Sequence, residues 1–349
     1  MRYRHVFIDA FGYELPPNVI TSVELEERLA PMYRRLNLRQ GQLQALTGIR
    51  ERRFWDPGEP MYTGTIKAGK KALANSAVRP DDIGMLVYCG VCRDNLEPAT
   101  ACSVAHGLGL PPEARVYDIS NACLGVVSGL IEVANAIELG QIKAGMVVAC
   151  ESARQIVDLT IERMNRECDM ESFKKSMAVL TGGSGAVAVI LAGESLPASD
   201  YRRHRLLGGV VRNAVEHHRL CIWGPDTGVP ASVPYKMETD SVGVLKNGVK
   251  LGQETFQAFK RELGFSDDQP DKVICHQVGE ANQRAILKAI GVDPKKDFPT
   301  YPYFANMGTV SLPITAAVAD EREFLQAGEL VGFLGIGSGL NCLMLGVEW

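Results

Sequence analysis

Short apolar runs of strand length alternate with helical segments along most of the chain. The apolar runs predict strands at 83–88, 144–149 and 185–191. Apolar residues at helical spacing predict helices at 22–37, 63–77, 98–107, 122–139, 243–263 and 279–290. Such alternation is typical of a mainly parallel α/β sheet, so this is the fold class that we predict.

The second half of the chain repeats features of the first. AGMVVACES and GGSGAVAVILAG (within 144–194) have a counterpart in GELVGFLGIGSGLNCLMLGVEW at 328–349. VYDISNAC followed by a helix is echoed by DKVICHQV followed by a helix, from residue 271 onward. We therefore predict two related α/β halves, at 1–198 and 199–349, with a charged, helix-prone insertion at about 153–178.

Composition narrows the function classes. The 349 residues are 46% hydrophobic, which is enough for a large core, and the net charge of −4 argues against general nucleic-acid binding. No run approaches the ~20 apolar residues of a membrane span, and the first residues are too polar for a secretory signal. The nine scattered cysteines are typical of reduced thiols, so we predict a cytoplasmic protein. The CxxC of Cys89 and Cys92 has no second cysteine pair, which disfavours a metal site.

Cys123 stands at a strand-to-helix corner, within YDISNACLGVVSGL at 117–130. Ser120 or Asn121 can cap the helix, which leaves Cys123 in its first turn beside free N–H groups and the positive dipole end. Both favour the thiolate, so we predict a lowered pKa and a nucleophile for acyl carbonyls. A buried cysteine in a turn would leave the same pattern.

Further polar residues follow predicted strands or open helices. His276 follows a strand and precedes a helix, where it could pass a proton, polarise a carbonyl or serve as a core histidine. The Asn306-x-Gly308 sequence is typical of a turn, and its amide could also donate to an enolate oxygen. The GIGSG loop (335–339) leads into a strand, so it favours a tight turn that offers an N–H to an oxyanion over a phosphate loop. Glu97 lies before a helix start, where surface carboxylates are common.

Two basic clusters could bind phosphates, although such clusters are more often solvated surface. They are Arg50/Arg52/Arg53 and Arg202/Arg203/Arg205. Arg50 and Arg53 of the first cluster are our candidate phosphate contacts.

The order Cys123, His276, Asn306, each after a strand in a duplicated α/β chain, resembles the thiolase superfamily, and specifically its ketosynthase III (3-oxoacyl-acyl-carrier-protein synthase III) branch. TGIRERRFW (47–55), NAC (121–123) and the segment ending in Pro313 carry this resemblance over essentially the whole chain. Within the branch, RDNLEPATA (93–101), DISNACL (118–124), ICHQV (274–278) and LGIGSGLNC (334–342) are similar to the OleA-type acyl-CoA condensing enzymes. The resemblance implies a thiolase fold, with the two halves in a five-layer α-β-α-β-α arrangement.

The resemblance also implies an acyltransferase and a role for each site residue. Cys123 would be acylated, while His276 and Asn306 would stabilise the enolate of the second substrate. The backbone N–H groups of Cys123 and Ser338 would form the oxyanion hole. Glu97 would reach the site of the partner subunit, which implies a homodimer. The resemblance implies coenzyme A thioesters as substrates and no requirement for a metal or redox cofactor.

The residue at position 97 distinguishes condensing enzymes that decarboxylate a malonyl unit from those that deprotonate an acyl-CoA. Decarboxylation of a malonyl unit needs no base, whereas condensing two plain acyl-CoAs requires removal of a proton alpha to a thioester. The synthase III type usually has an apolar residue at the Glu97 position and an arginine where this chain has Leu46. We therefore predict head-to-head Claisen condensation of two fatty acyl-CoAs to a 2-alkyl-3-oxoacyl product and then a β-keto acid.

Two alternatives stay open. The first is a decarboxylative synthase that joins acyl-CoA to malonyl-carrier protein in fatty-acid or polyketide biosynthesis. The second is a protein that binds or transfers acyl groups without condensation, which the complete Cys/His/Asn set disfavours.

Overall fold

The computed structural model describes residues 1–198, 203–224 and 235–349. Its strands are Val6–Glu14 (β1), Asn18–Thr21 (β2), Glu51–Phe54 (β3), Ile83–Tyr88 (β4), Arg115–Asp118 (β5), Ala144–Glu151 (β6), Gly185–Gly193 (β7), His204–Asn213 (β8), Cys221–Gly224 (β9), Lys236–Thr239 (β10), Lys272–Cys275 (β11), Leu330–Gly337 (β12) and Asn341–Glu348 (β13). Its α-helices are Ser22–Arg28 (α1), Ala30–Arg35 (α2), Gln42–Thr47 (α3), Met61–Ala74 (α4), Thr100–Leu108 (α5), Gly125–Glu138 (α6), Arg154–Arg166 (α7), Met170–Ser176 (α8), Ser241–Leu263 (α9), Glu280–Ile290 (α10), Tyr301–Phe304 (α11) and Ser311–Glu321 (α12). Within these ranges, no helix combines the length and the apolar character that crossing a bilayer requires.

Nine strands form the main sheet, in the order β11-β12-β13-β8-β1-β7-β6-β4-β5. The order is mirrored about the β1–β8 contact. On each side an antiparallel pair (β1–β7 and β8–β13) is followed by a second antiparallel pair (β7–β6 and β13–β12) and then a parallel pair (β6–β4 and β12–β11). This symmetry confirms two related α/β halves within a thiolase-type architecture. The predicted boundary between them adjoins residues 199–202, which lie outside the described residues.

Five layers pack through one central apolar cluster, which surrounds the middle helices, and two outer clusters. Alternate residues of a strand face opposite sides of a sheet, so Val87 packs into a central cluster with α6 and α12, while Leu86 packs into an outer cluster with α4 and α5. The central cluster also takes Phe333 of β12, and the other face of that half-sheet packs on α9 and α10. The layers are therefore α-β-α-β-α, as the resemblance implied. Every residue of β6 and β7 is buried, as expected of strands covered on both faces.

Three details differ from the sequence-based predictions. The main sheet is mixed and not mainly parallel, since five of its eight strand pairings are antiparallel. The segment predicted as one helix at 22–37 forms two helices, α1 and α2. Pro31 causes the break, because proline is tolerated in the first turn of a helix but not in its interior. The match of DKVICHQV to VYDISNAC was wrong, because β11 occupies the mirror position of β4. The position of β5 is taken in the second half by a parallel bridge between Val273 and Asp297.

Candidate active site

A cavity of about 430 Å³ opens at the ends of the central strands. Its polar end is lined by Cys123, Glu151, Asn306 and Ser338. Its apolar wall comes mainly from segments outside the main sheet, and includes Ile156, Val179, Trp223 and Met237. The two predicted halves both contribute, because Asn306 and Ser338 lie far along the chain from Cys123. Such a cavity suits a ligand that has a long apolar chain and one reactive polar end.

The Cys123 turn is tightly constrained. After β5, Ala122 adopts a left-handed φ of 44°, and residues 122–124 form one 3₁₀ turn before α6. A Cβ on Gly125 would lie 2.1 Å from the carbonyl oxygen of Cys89, so only glycine allows this approach. The close packing at Gly125 therefore fixes the strained turn that carries Cys123 immediately before α6.

The thiol of Cys123 does not have the lowered pKa that we predicted. Burial raises the pKa of Cys123 from 9.0 to about 12, and the nearby Cys221 and Glu151 add to the rise. The helix terminus offers a partial charge, whereas removal of the sulfur from water penalises the whole charge of a thiolate. Burial therefore favours the protonated form of the Cys123 thiol.

Asn306 is fixed by three hydrogen bonds. Its N–H donates to the carbonyl of Thr181 (2.9 Å), and its carbonyl accepts from the N–H of Gly183 (2.8 Å). Its side-chain Oδ1 accepts from the N–H of Gly308 (3.0 Å). Because Oδ1 is engaged, the NH₂ group is the part of the amide left to donate into the cavity.

Ser338 lies in the three-residue turn of the β12–β13 hairpin, which the paired residues Gly337 and Asn341 close. A Cβ on Gly337 would lie 3.4 Å from the backbone nitrogen of Cys123. The hairpin therefore approaches the Cys123 turn at backbone distance, and the backbone N–H groups of Cys123 and Ser338 belong to adjacent turns.

His276 follows β11, and its backbone N–H donates to the carbonyl of Leu334 in β12 (2.9 Å). Its Nδ1 is buried without a hydrogen-bond partner, and burial lowers the pKa of His276 to about 4. The ring is therefore neutral at physiological pH. His276 is not among the described residues that line the cavity.

Sequence reasoning missed Glu151, at the end of β6. Its carboxylate accepts from the backbone N–H groups of Val91 (2.9 Å) and Cys92 (3.2 Å). Burial raises its pKa to about 7, despite these hydrogen bonds. An ionisable residue at the end of a fully apolar strand was the available signal, because strand ends of an α/β sheet are where sites form.

Comparison with known proteins gives the family. Residues 117–204 match the 3-oxoacyl-[acyl-carrier-protein] synthase III model, and residues 261–349 match the model of its C-terminal part. An acyl-CoA:acyl-CoA alkyltransferase of Shewanella oneidensis is 52% identical, and one of Xanthomonas campestris is 35% identical, each over 100% of both chains. A crystal structure of Xanthomonas campestris OleA with bound lauric acid and lauroyl-CoA superposes with a TM-score of 0.92 at 35% identity, and the match covers 99% of this chain and 100% of that one.

The chain belongs to the OleA branch of the synthase III family. It is therefore an enzyme of the acyltransferase class. In this OleA-branch enzyme, Cys123 lies in the first matched segment, while His276, Asn306 and Ser338 lie in the second.

Three other predicted site residues of this OleA-branch enzyme are not among the described residues that line the cavity. Glu97 is exposed, on the loop after β4. Arg50 is exposed and donates to the hydroxyl of Tyr303 (3.2 Å). Arg53 donates to the carbonyl of Pro16 (3.3 Å), and its Nε is buried without a partner. Their roles toward coenzyme A or a partner subunit stay predictions, and Arg202 of the second basic cluster lies outside the described residues.

Proposed function

We propose that this enzyme condenses two fatty acyl-CoA molecules head to head. One observation carries the proposal: a half-buried thiol, an oriented amide and a hairpin turn meet at the polar end of a cavity whose wall is apolar. The relatives named acyl-CoA:acyl-CoA alkyltransferase and the OleA structure with lauroyl-CoA support the same chemistry.

The first half-reaction acylates Cys123. Its sulfur attacks the thioester carbonyl, and the backbone N–H groups of Cys123 and Ser338 hold the developing oxyanion. The carbon–sulfur bond to coenzyme A then breaks, and the thiol proton leaves with coenzyme A as its free thiol. The thiolate is the nucleophile, so the Cys123 proton must leave as the sulfur attacks, and the departing coenzyme A thiolate takes up a proton in turn.

The second half-reaction forms the carbon–carbon bond. The Glu97 carboxylate removes a proton alpha to the thioester of a second acyl-CoA. The Asn306 amide and a neutral His276 N–H stabilise the enolate oxygen. The enolate carbon attacks the Cys123 thioester, and the expelled Cys123 sulfur recovers a proton from Glu97. The product is a 2-alkyl-3-oxoacyl-CoA, which water cleaves to a β-keto acid and coenzyme A.

The proposal includes a cytoplasmic homodimer in which Glu97 serves the partner's site. Glu97 is exposed, and its neighbour Leu96 exposes 63% of its surface, so this loop is available to a second subunit. All nine cysteines are free thiols, as expected in a reducing compartment. Arg50 and Arg53 would contact the phosphates of coenzyme A.

Mass spectrometry of products tests the reaction. Incubation with a long-chain acyl-CoA alone should give the β-keto acid or its ketone, and Cys123→Ala should give neither. Glu97→Gln should still acylate Cys123 but form no condensation product, while Glu113→Gln, at another exposed glutamate, should behave like the wild type. A product that requires malonyl-CoA or malonyl-carrier protein would overturn the proposal in favour of decarboxylative synthesis.

Subunit complementation tests the placement of Glu97. Cys123→Ala and Glu97→Gln should each be inactive alone. A co-expressed mixture should recover activity, because one site of the mixed dimer then has an intact Cys123 and an intact Glu97 from different chains. A mixture that forms mixed dimers without activity would show that Glu97 acts within its own chain.

A further inference from the structure

Two asparagine side chains connect the Cys123 turn to the Ser338 turn. The Asn341 NH₂ group donates to the side-chain oxygen of Asn121 (3.1 Å) and to the backbone carbonyl of Ser338 (3.4 Å). The Asn121 NH₂ group donates to the hydroxyl of Ser128 in α6 (2.9 Å). Neither asparagine has a part in the reaction proposed above.

A backbone carbonyl fixes the orientation of both amides. The Ser338 carbonyl can only accept, so Asn341 must present its NH₂ group to it. That group also faces Asn121, which must therefore present its oxygen, and the Asn121 NH₂ group is left for Ser128. Reversing either amide alone would set two donors or two acceptors against each other, so the pair has one favoured arrangement.

Each asparagine is anchored beside one of the two N–H donors of the oxyanion hole. The backbone carbonyl of Asn121 accepts from the N–H of Leu124 (2.8 Å), which closes the turn around Cys123. Asn341 pairs with Gly337 across the hairpin and so closes the turn around Ser338. The amide contact therefore spans the gap between two separate turns, one from each half.

We propose that Asn121 and Asn341 are positioning residues that set the separation of the Cys123 and Ser338 N–H groups. The inference rests on the proposed function, since it needs an oxyanion on the acyl carbon at Cys123. Its effect is confined to steps that form such an oxyanion, and it does not extend to simple alkylation of the thiol. Misplacement of a reacting group by about 1 Å can cost about 100-fold in rate.

Single-turnover acylation by myristoyl-CoA, followed by intact-protein mass, tests this in Asn341→Ala and Asn121→Ala. Each variant should acylate about 10- to 100-fold more slowly with little change in KM, because the loss is of transition-state contacts. Alkylation of Cys123 by iodoacetamide should be unchanged, since that displacement forms no oxyanion. The double variant should be no slower than either single variant, because the two side chains act as one unit.

Asn247→Ala is the matched control, because its NH₂ group also donates to a backbone carbonyl, that of Gly243 in α9 (2.9 Å). It should acylate at the wild-type rate. Unchanged acylation in both asparagine variants, a parallel loss of alkylation, or additive losses in the double variant would each overturn the inference. A wild-type protein that forms no Cys123 adduct would instead refute the proposed function.

Discussion

Two buried groups near the sheet ends should give stability opposite dependences on pH. Burial raises the pKa of Glu151 from 4.5 to about 7 and lowers that of His276 from 6.5 to about 4. Each change corresponds to about 3 kcal/mol between the two protonation states. The two groups change the free energy of unfolding in opposite directions as pH rises. Their contributions to its pH dependence therefore nearly cancel in the wild-type protein.

The signs follow from proton linkage. Between pH 4.5 and 7, folded Glu151 holds a proton that the unfolded chain has lost, so its contribution to stability falls as pH rises. Between pH 4 and 6.5, the unfolded chain holds a proton that folded His276 has lost, so its contribution rises with pH. Glu151→Gln removes the first contribution and His276→Asn removes the second.

Calorimetry of the two variants from pH 4 to 7 measures the effect. An unfolding entropy of about 2.1 cal/mol/K per residue converts 3 kcal/mol to about 4 °C in Tm for a chain of this length. Relative to the wild type, the Tm of Glu151→Gln should therefore rise by about 4 °C across this range, and that of His276→Asn should fall by about 4 °C. Glu113→Gln, at the surface, should give a constant difference. Differences of the same sign in the two site variants, or none that depends on pH, would refute the reasoning.

Three further outcomes can be measured. The rate of Cys123 alkylation by iodoacetamide should rise about tenfold per pH unit from pH 7 to 10, because the pKa of Cys123 is about 12; a plateau below pH 10 would contradict this value. Gly125→Ala should lower stability by about 1–3 kcal/mol and slow acylation, because its Cβ would clash with the Cys89 carbonyl, whereas Gly248→Ala, whose Cβ would meet only the tip of Ile336, should be tolerated in a thermal melt. Trp223→Ala should shift the kcat/KM preference toward longer acyl chains by about tenfold or more, and an unchanged preference would exclude Trp223 from the acyl-binding wall.

The sequence was sufficient to predict those helices and strands whose apolar pattern lies within the element itself. The strands predicted at 83–88, 144–149 and 185–191 correspond to β4, β6 and β7, and the predicted helices begin and end within a few residues of the observed ones, apart from the break before α2. Their apolar periodicity reflects burial that each segment carries in its own residues. The motifs around Cys123, Asn306 and Ser338 were equally local, and the structure brings these three residues to one cavity.

Strand pairing, burial and side-chain contacts between residues distant in the chain were harder to predict. The counterpart of β11 could not be chosen by pattern, because every strand followed by a polar residue and a helix looks alike until its neighbours in the sheet are known. The pKa of Cys123 was predicted to fall, whereas burial raises it. The helix terminus that favours the thiolate can be read from the sequence, but the depth of burial cannot. Glu151 was missed for a related reason: the backbone N–H groups that its carboxylate binds belong to Val91 and Cys92, in the loop after β4, far from Glu151 along the chain.

The division of the site between two turns has a consequence for a chain still on the ribosome. Cys123 and its turn are synthesised long before Asn306 and the β12–β13 hairpin that carries Ser338. A nascent first half therefore contains Cys123 without the Ser338 turn that lies beside it in the folded protein. The cavity that Cys123 shares with Asn306 and Ser338 therefore cannot be complete until the last hairpin of the chain has been synthesised.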